Sequence, residues 1–228
     1  MVCGRFDQND INRLVRDFSW TSEILNRSTA EGSWNVAPTS MRPVMYTQND
    51  DPRLFIDDRH WGYQAIWANG KVPVAINTRL EKITNRYWGK LLKEGRGIVP
   101  ADGWYEWTGE KGSKQPWHIH RKDRLPLYFA ALGWFDKAHD GNLDAPSAGF
   151  SIVTADAAGG MVDVHDRRPV VFSAEDAALW LDPGLPPEQA EEIARSALSH
   201  EYFEWYQVPK AVGNVRSQGP ELAKPIDG

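Results

Sequence analysis

Cys3 is the only thiol in the chain, and it directly follows Met1 and Val2. A lone cysteine is most often an inert buried side chain. If the two preceding residues are removed, however, Cys3 carries an α-amine and a thiol on adjacent carbons. The α-amine has a reference pKa of about 7.7–8.0, so part of it is neutral at pH 7. Such an aminothiol attacks an aldehyde, first through nitrogen to give an imine and then through sulfur to close a thiazolidine ring.

Two further side chains have settings suited to proton transfer. Glu106 stands between Tyr105 and Trp107 in a strand-like run, where partial desolvation would raise its pKa towards neutrality. The alternative is an outward-facing carboxylate on an edge strand. His165 precedes Arg167 and Arg168 in a loop, so its imidazole could act as an acid or base while the arginines hold phosphate. The alternative is an ordinary histidine of a surface loop.

A metal site and a cofactor site are not expected. His118 and His120 would share one face of a predicted strand, but no third ligand accompanies them at a suitable spacing. A structural or solvent-facing role is therefore the better interpretation. The sequence also has no phosphate-binding glycine loop and no dinucleotide fingerprint.

Basic and aromatic residues are interleaved in the middle of the chain. The formal net charge is −5, yet the stretch from Arg79 to Arg96 has a local excess of basic residues. The chain also contains 11 tryptophans, several of them within or beside this stretch. Tryptophan usually fills cores, but aromatic rings among cations also form stacking surfaces for unpaired bases. This region could therefore bind a single-stranded polyanion.

Hydrophobic periodicity and capping residues predict four helices. The first is amphipathic and includes Phe18, the second ends at Gly95, and the third begins near Ser173. The predicted helices span residues 8–18, about 84–93, 177–181 and 187–198.

Short apolar runs bounded by turn residues predict the strands. The later runs indicate an antiparallel meander. The predicted strands cover residues 44–47, 54–56, 74–76, 97–107, 115–121, 127–135 and 150–154. The fold class expected is α+β, a single domain over residues 1–228 with a mixed, barrel-like sheet core and peripheral helices.

The composition also predicts where the protein works. One cysteine cannot form an internal disulfide, which suits a reducing cytoplasm. No apolar run approaches the roughly 20 residues of a membrane-spanning helix, and no leader opens the chain. We therefore expect a cytoplasmic monomer without membrane association.

Seven short motifs occur in a fixed order along the chain. They are Cys3-Gly4-Arg5-Phe6, Asn35-Val36-Ala37-Pro38, Trp61-Gly62, Asn77-Thr78-Arg79 with Glu81, Ala101-Asp102-Gly103-Trp104-Tyr105-Glu106-Trp107, His165-Asp166-Arg167-Arg168-Pro169 and Val212-Gly213-Asn214-Val215. In this order they resemble the motifs of SRAP (SOS response-associated peptidase) domain proteins, and the resemblance runs from Cys3 to about Leu222.

The resemblance implies a sensor that shields abasic sites in single-stranded DNA as a covalent DNA–protein crosslink. Carried over by motif, Cys3 is the crosslinking nucleophile, and Asn77 and His165 position and protonate the sugar. Glu106 is the general acid and base, and is also associated with reversal of the crosslink. The matching DNA-contact positions are Arg5, Asn35, Arg79 and Arg86 near the backbone, with Trp67 and Trp107 on the bases.

The family frees its cysteine by autoproteolytic loss of the initiator Met, and one departure from the family pattern concerns this step. Val2 stands between Met1 and Cys3, so both residues must be lost before the amine can react.

Two other functions remain open at this point. Cys-Gly near the start also opens glutamine amidotransferase domains, so an N-terminal-nucleophile amidohydrolase is one alternative. A non-catalytic single-stranded DNA binding module, using only the basic and aromatic surface, is the other.

Overall fold

The computed structural model describes residues 3–16, 23–48, 51–110, 112–135 and 145–226. Its strands form two sheets. The five-stranded sheet contains β1 (Phe6–Gln8), β3 (Ser33–Val36), β8 (Gly103–Thr108), β9 (Gln115–Arg121) and β14 (Phe203–Gln207). Its order is β14-β9-β8-β1-β3, and every neighbouring pair is antiparallel.

The second sheet is larger and mixed. It contains β2 (Ile24–Asn26), β4 (Met41–Gln48), β5 (Asp51–His60), β6 (Asn77–Arg79), β7 (Arg96–Ala101), β10 (Leu127–Gly133), β11 (Phe150–Asp156), β12 (Arg167–Pro169) and β13 (Val171–Phe172). The main order is β12-β11-β10-β7-β4-β5-β2, with β13 beside β10 and β6 beside β11. The β2–β5 and β6–β11 pairs are parallel.

Helices cover the outer face of the nine-stranded sheet. They are α1 (Ile11–Arg16), α2 (Gly89–Glu94), α3 (Ala174–Leu181) and α4 (Pro187–Arg195). Tyr128, Ala130 and Leu132 of β10 pack in the core on the helix side, and the residues between them pack in the core shared with the five-stranded sheet. Because successive side chains of a strand point to opposite faces, β10 is apolar throughout. The layers are therefore a small sheet, a large sheet and helices.

The α+β class and the mixed sheet are confirmed, but the sheets are not closed barrels. The predicted meander is wrong. The chain crosses from the large sheet to the small one between Ala101 and Gly103, and β10 pairs with β7 rather than β9. The physical reason is burial, because β7 and β10 bury both faces and therefore belong in the middle layer.

Several predicted boundaries differ from the observed ones. Residues 74–76 are not a strand of their own, since Ala75 makes an isolated bridge with Tyr63 and β6 begins at Asn77. The helix predicted from residue 84 begins at Gly89 instead. Asn85 Oδ1 accepts hydrogen bonds from the amides of Tyr87 and Trp88, the two residues that precede this helix, as capping side chains do.

The helix predicted over residues 8–18 covers only Ile11–Arg16, because Gln8 belongs to β1, and its last two residues lie outside the described ones. The third and fourth helices are confirmed. Ser173 Oγ caps α3 by accepting the amide of Asp176 at 3.0 Å. In the part of the chain that the structure describes, no helix has the length and hydropathy needed to cross a bilayer.

Candidate functional site

The pairing of β1 with β8 brings Cys3 onto Glu106. Phe6 lies opposite Trp104, and the Tyr105 amide donates to the Arg5 carbonyl at 3.0 Å. The residues before β1 therefore run alongside β8. This path places the backbone N–H of Cys3 against Glu106, and the nitrogen donates a hydrogen bond to Glu106 Oε1 at 2.7 Å.

Burial sets the protonation of both groups. Cys3 is fully buried, and desolvation together with the nearby Glu106 raises the pKa of its thiol well above the usual value. Desolvation also raises the pKa of Glu106 to about 8, although the Cys3 amide opposes this shift. The prediction that Glu106 is desolvated is thus confirmed, and the edge-strand alternative is wrong. A carboxyl of this pKa is mostly protonated at pH 7 and can both donate and accept a proton.

The backbone of Cys3 adopts a conformation that is rare for residues other than glycine. Its φ is +41°, in the left-handed region. Such a conformation costs on the order of 1–3 kcal/mol and tends to occur at functional sites.

An open cleft of about 640 Å³ contains Asn77, Arg79 and His165. Two strands that pair with β11 form its walls, because β6 places Asn77 opposite Ile152 and β12 places Arg167 opposite Asp156. We call this the His165 cleft. The remaining lining residues are Val74, Ala75, Ile76, Thr154, Asp166 and Arg167.

The imidazole of His165 is held by its own loop. Its Nδ1 lies 2.7 Å from Asp166 Oδ1 and 3.1 Å from the amide nitrogen of Arg167. Partial burial lowers the pKa of His165, an effect that the Asp166 charge opposes.

Two observations connect the His165 cleft with Cys3 and Glu106. The Trp61 indole donates to the Ile76 carbonyl at 3.0 Å, and its ring lies 4.9 Å from that of Phe6 on β1. In addition, the charge of Asp166 helps to raise the pKa of Glu106. The structure thus places Asn77 and His165 in one cleft and Cys3 against Glu106, with Asp166 close enough to Glu106 for its charge to act on that carboxyl.

The expectation that Arg167 and Arg168 hold phosphate is wrong for Arg167. Its guanidinium is buried and donates to Glu81 Oε1 at 3.0 Å and Asp156 Oδ1 at 2.6 Å. Arg168 is partly buried over the Phe203 ring, and burial lowers its pKa. Of the cleft arginines, Arg79 is the exposed one, with 60% of its side chain accessible.

Trp67 and Arg86 line a second cleft, of about 570 Å³. Trp67 is 65% exposed and lies edge-on to Tyr87, at 5.4 Å between ring centroids. We call this the Trp67 cleft. It adjoins the His165 cleft. Tyr63 lines the Trp67 cleft, Ala75 lines the His165 cleft, and the backbones of these two residues exchange two hydrogen bonds.

Sequence reasoning missed two members of the Trp67 cleft as site residues. Lys90 Nζ lies 4.6 Å from the centre of the Trp134 ring, a cation–π contact. Lys90 follows Arg86 by four positions in the basic stretch, and this spacing could have indicated it. Trp134 directly follows β10 and lies far from Lys90 in sequence, so no local pattern indicated its role.

Arg5, Asn35 and Trp107 lie elsewhere, against the last part of the chain. Arg5 Nη1 donates to Asn35 Oδ1 at 2.6 Å and to the Val212 carbonyl at 3.0 Å. Asn35 Nδ2 donates to the carbonyls of Val212, Asn214 and Ser217. Trp107 is half-buried against a small apolar cluster that includes Val212. These residues hold residues 212–217 against β1 and β3.

His118 and His120 share one face of β9, as predicted, with ring centroids 5.5 Å apart. Within the described ranges, no group of three His, Cys, Asp or Glu side chains is arranged to hold a metal ion.

The chain is similar in sequence and in overall structure to several known proteins. The chain is 37% identical to the abasic site processing protein YedK of Escherichia coli, over 99% of this chain and 100% of that protein. It is 27% identical to the abasic site processing protein HMCES of Gallus gallus, over 90% of this chain and 69% of HMCES. A phage-related protein from Bordetella bronchiseptica has a similar structure, with a TM-score of 0.75, 37% identity and coverage of 90% and 94% of the two chains.

A family model described as SOS response associated peptidase (SRAP) matches residues 2–215. Together with the full-length similarity to YedK, this match shows that the chain belongs to the SRAP family.

Proposed function

We propose that this protein recognises abasic sites in single-stranded DNA and shields them by forming a covalent crosslink through Cys3. The names of its relatives, abasic site processing proteins, support the substrate. The observation that carries the chemistry is the 2.7 Å contact between the Cys3 nitrogen and Glu106 Oε1. A proton carrier with a pKa of about 8 thus touches the atom that must react.

The crosslink forms in two steps. The ring-opened sugar of an abasic site exposes an aldehyde. The free Cys3 amine adds to its carbon while one amine proton passes to the carbonyl oxygen. Glu106 then protonates the resulting hydroxyl, which leaves as water, and takes the second N–H proton as the imine forms. The Cys3 sulfur adds to the imine carbon and the thiol proton passes to nitrogen, which closes the thiazolidine ring.

The two clefts divide the recognition of the strand. Asn77 and His165 position the sugar in the His165 cleft, and His165 relays protons at the sugar hydroxyls. Arg79 in the same cleft and Arg86 in the Trp67 cleft neutralise phosphates. Exposed Trp67 stacks on an unpaired base. We also propose that the chain acts as one domain and as a monomer in the cytoplasm.

Self-cleavage supplies the free amine. The Cys3 thiol gives up its proton to Glu106 or His165, and its sulfur attacks the Val2 carbonyl. The carbon–nitrogen bond then breaks, and the same proton carrier delivers the proton to the departing nitrogen. Water then hydrolyses the thioester and releases Met1-Val2 as a dipeptide. The left-handed backbone of Cys3 supports this step, because cleavage relieves its strain.

The decisive experiment measures intact-protein mass after incubation with a single-stranded oligonucleotide that carries one abasic site. We expect a denaturant-stable adduct whose mass is that of the protein plus the oligonucleotide minus one water. Cys3→Ala should form no adduct and still bind intact strands. An adduct on Cys3→Ala, or no adduct on the parent protein, would overturn the proposal.

The same spectra test the processing step. Only the fraction that begins at Cys3 should crosslink. Full crosslinking by protein that retains Met1 would show that the amine is not the nucleophile.

A further inference from the structure

A buried carboxylate and imidazole join two strands that are not neighbours in the five-stranded sheet. Asp7 on β1 and His118 on β9 are separated by β8, yet Asp7 Oδ2 lies 2.7 Å from His118 Nε2. Their side chains are 1% and 5% exposed. With Asp7 ionised, its oxygen accepts this hydrogen bond and His118 Nε2 donates it.

Gly103 of β8 makes this contact possible. It lies opposite Asp7 in the β1–β8 register. A Cβ at this position would stand 2.3 Å from His118 Nε2 and 2.8 Å from the Ile119 carbonyl oxygen. The absence of a side chain therefore opens the path by which the imidazole crosses β8 to reach β1.

The contact matters because β1 is short and few backbone contacts join it to β8. β1 contains three residues and pairs with β8 at two positions. A slip of one residue would move the strand by about 3.3 Å and exchange its faces. Such a shift would take the Cys3 nitrogen away from Glu106.

The surroundings of the pair are well suited to fixing a register. The His118 ring packs on Tyr105, with centroids 5.0 Å apart, on the side of β8 opposite to Trp104. Asp102, at the start of β8, accepts the Asn9 amide at 3.0 Å. Buried ionisable pairs add little net stability, and their best-attested role is to select one register.

We propose that Asp7 and His118 are positioning residues that fix β1 against β8 and thereby hold the Cys3 amine on Glu106. This inference rests on the proposed crosslinking function. The pair acts through the backbone of β1 and does not touch DNA.

The test replaces the pair by apolar side chains of similar size. Asp7→Leu/His118→Phe leaves no buried group unpaired, so the fold should persist. Asp7→Asn keeps an acceptor for Nε2 and serves as the conservative rescue. His120→Phe is the matched control, because His120 lies on the same face and bonds the Arg121 carbonyl of its own strand at 2.8 Å.

Three measurements separate positioning from stability. The crosslinking rate at saturating abasic DNA should fall about 10- to 100-fold in the double variant, since a displacement of about 1 Å has this effect on reacting groups. The affinity for intact single strands should stay within about twofold, because the phosphate-binding arginines are untouched. Amide exchange should quicken at Asp102 and Tyr105, whose amides donate to the carbonyls of Asp7 and Arg5, both at 3.0 Å.

Asp7→Asn and His120→Phe should crosslink at close to the rate of the parent protein. A double variant with the parental rate and unchanged amide exchange would overturn the inference, as would an equal loss in His120→Phe. If the parent protein itself forms no adduct, the proposed function fails, and amide exchange alone then decides whether the pair fixes the register.

Discussion

Glu106 Oε1 and the Cys3 backbone nitrogen are 2.7 Å apart although the residues are separated by 103 positions. This carboxyl therefore contacts the nitrogen in the absence of any substrate. In the proposed mechanism, proton transfer begins without rearrangement of these two groups, because the paired strands already hold them together.

Glu106→Gln should slow crosslinking about 100-fold, because the amide keeps an oxygen acceptor for the Cys3 nitrogen but cannot transfer a proton. The rate is measured with pre-processed protein, so that a defect in self-cleavage does not interfere. Exposed Glu110→Gln is the matched control and should behave as the parent does. An undiminished rate in Glu106→Gln would remove Glu106 from the proposed mechanism.

Glu106 should also make folding stability depend on pH. Its pKa is raised from 4.5 to about 8 in the folded state, so between these values the folded chain holds a proton that the unfolded chain has lost. This stabilising contribution is complete below about pH 4.5 and is lost as the pH rises to about 8. The stability of the parent relative to Glu106→Gln should therefore fall by up to about 1.4 kcal/mol per pH unit. Chemical denaturation from pH 5 to pH 8 measures this difference, and a flat difference would contradict it.

Arg79→Ala and Arg86→Ala should each reduce the salt dependence of binding to intact single strands. Each lost phosphate contact changes the slope of log K against log salt by about 0.7. Fluorescence anisotropy over a salt series gives the slope, with Arg195→Ala on α4 as the control. If both slopes equal that of the control, the strand does not follow these clefts.

Trp67→Ala should weaken binding to intact strands by about 1–3 kcal/mol, the usual value of stacking one base on an aromatic ring. The crosslinking rate at saturating DNA should remain, because Trp67 takes no part in the chemistry. Tyr202→Ala, which removes another exposed ring, is the control. Equal affinities in the two variants would exclude Trp67 as a stacking residue.

Local sequence patterns predicted the features that depend only on adjacent residues. The aromatic residues around Glu106 indicated its desolvation, and Ser173 indicated the start of α3. The roles that depend on distant partners could not be predicted. His118 has no informative neighbour in sequence, since its partner Asp7 is 111 positions away.

The same limit explains the errors in the fold. The pattern over residues 97–107 predicts one continuous strand, and nothing local indicates that this run divides at Asp102 and changes sheets there. Only the apolar character of both faces of β7 and β10, taken together, requires a middle layer.

The bond between Arg5 and the Val212 carbonyl spans 207 positions of the chain. A ribosome adds about 5–20 residues per second, so the amino-terminal segment emerges roughly 10 to 40 s before its clamp has been synthesised. Until then Arg5 and Asn35 lack the Val212 carbonyl to which both donate. The self-cleavage proposed above therefore has its complete site only after synthesis of the chain, and we expect the nascent protein to leave the ribosome with the Cys3 nitrogen still bonded to Val2.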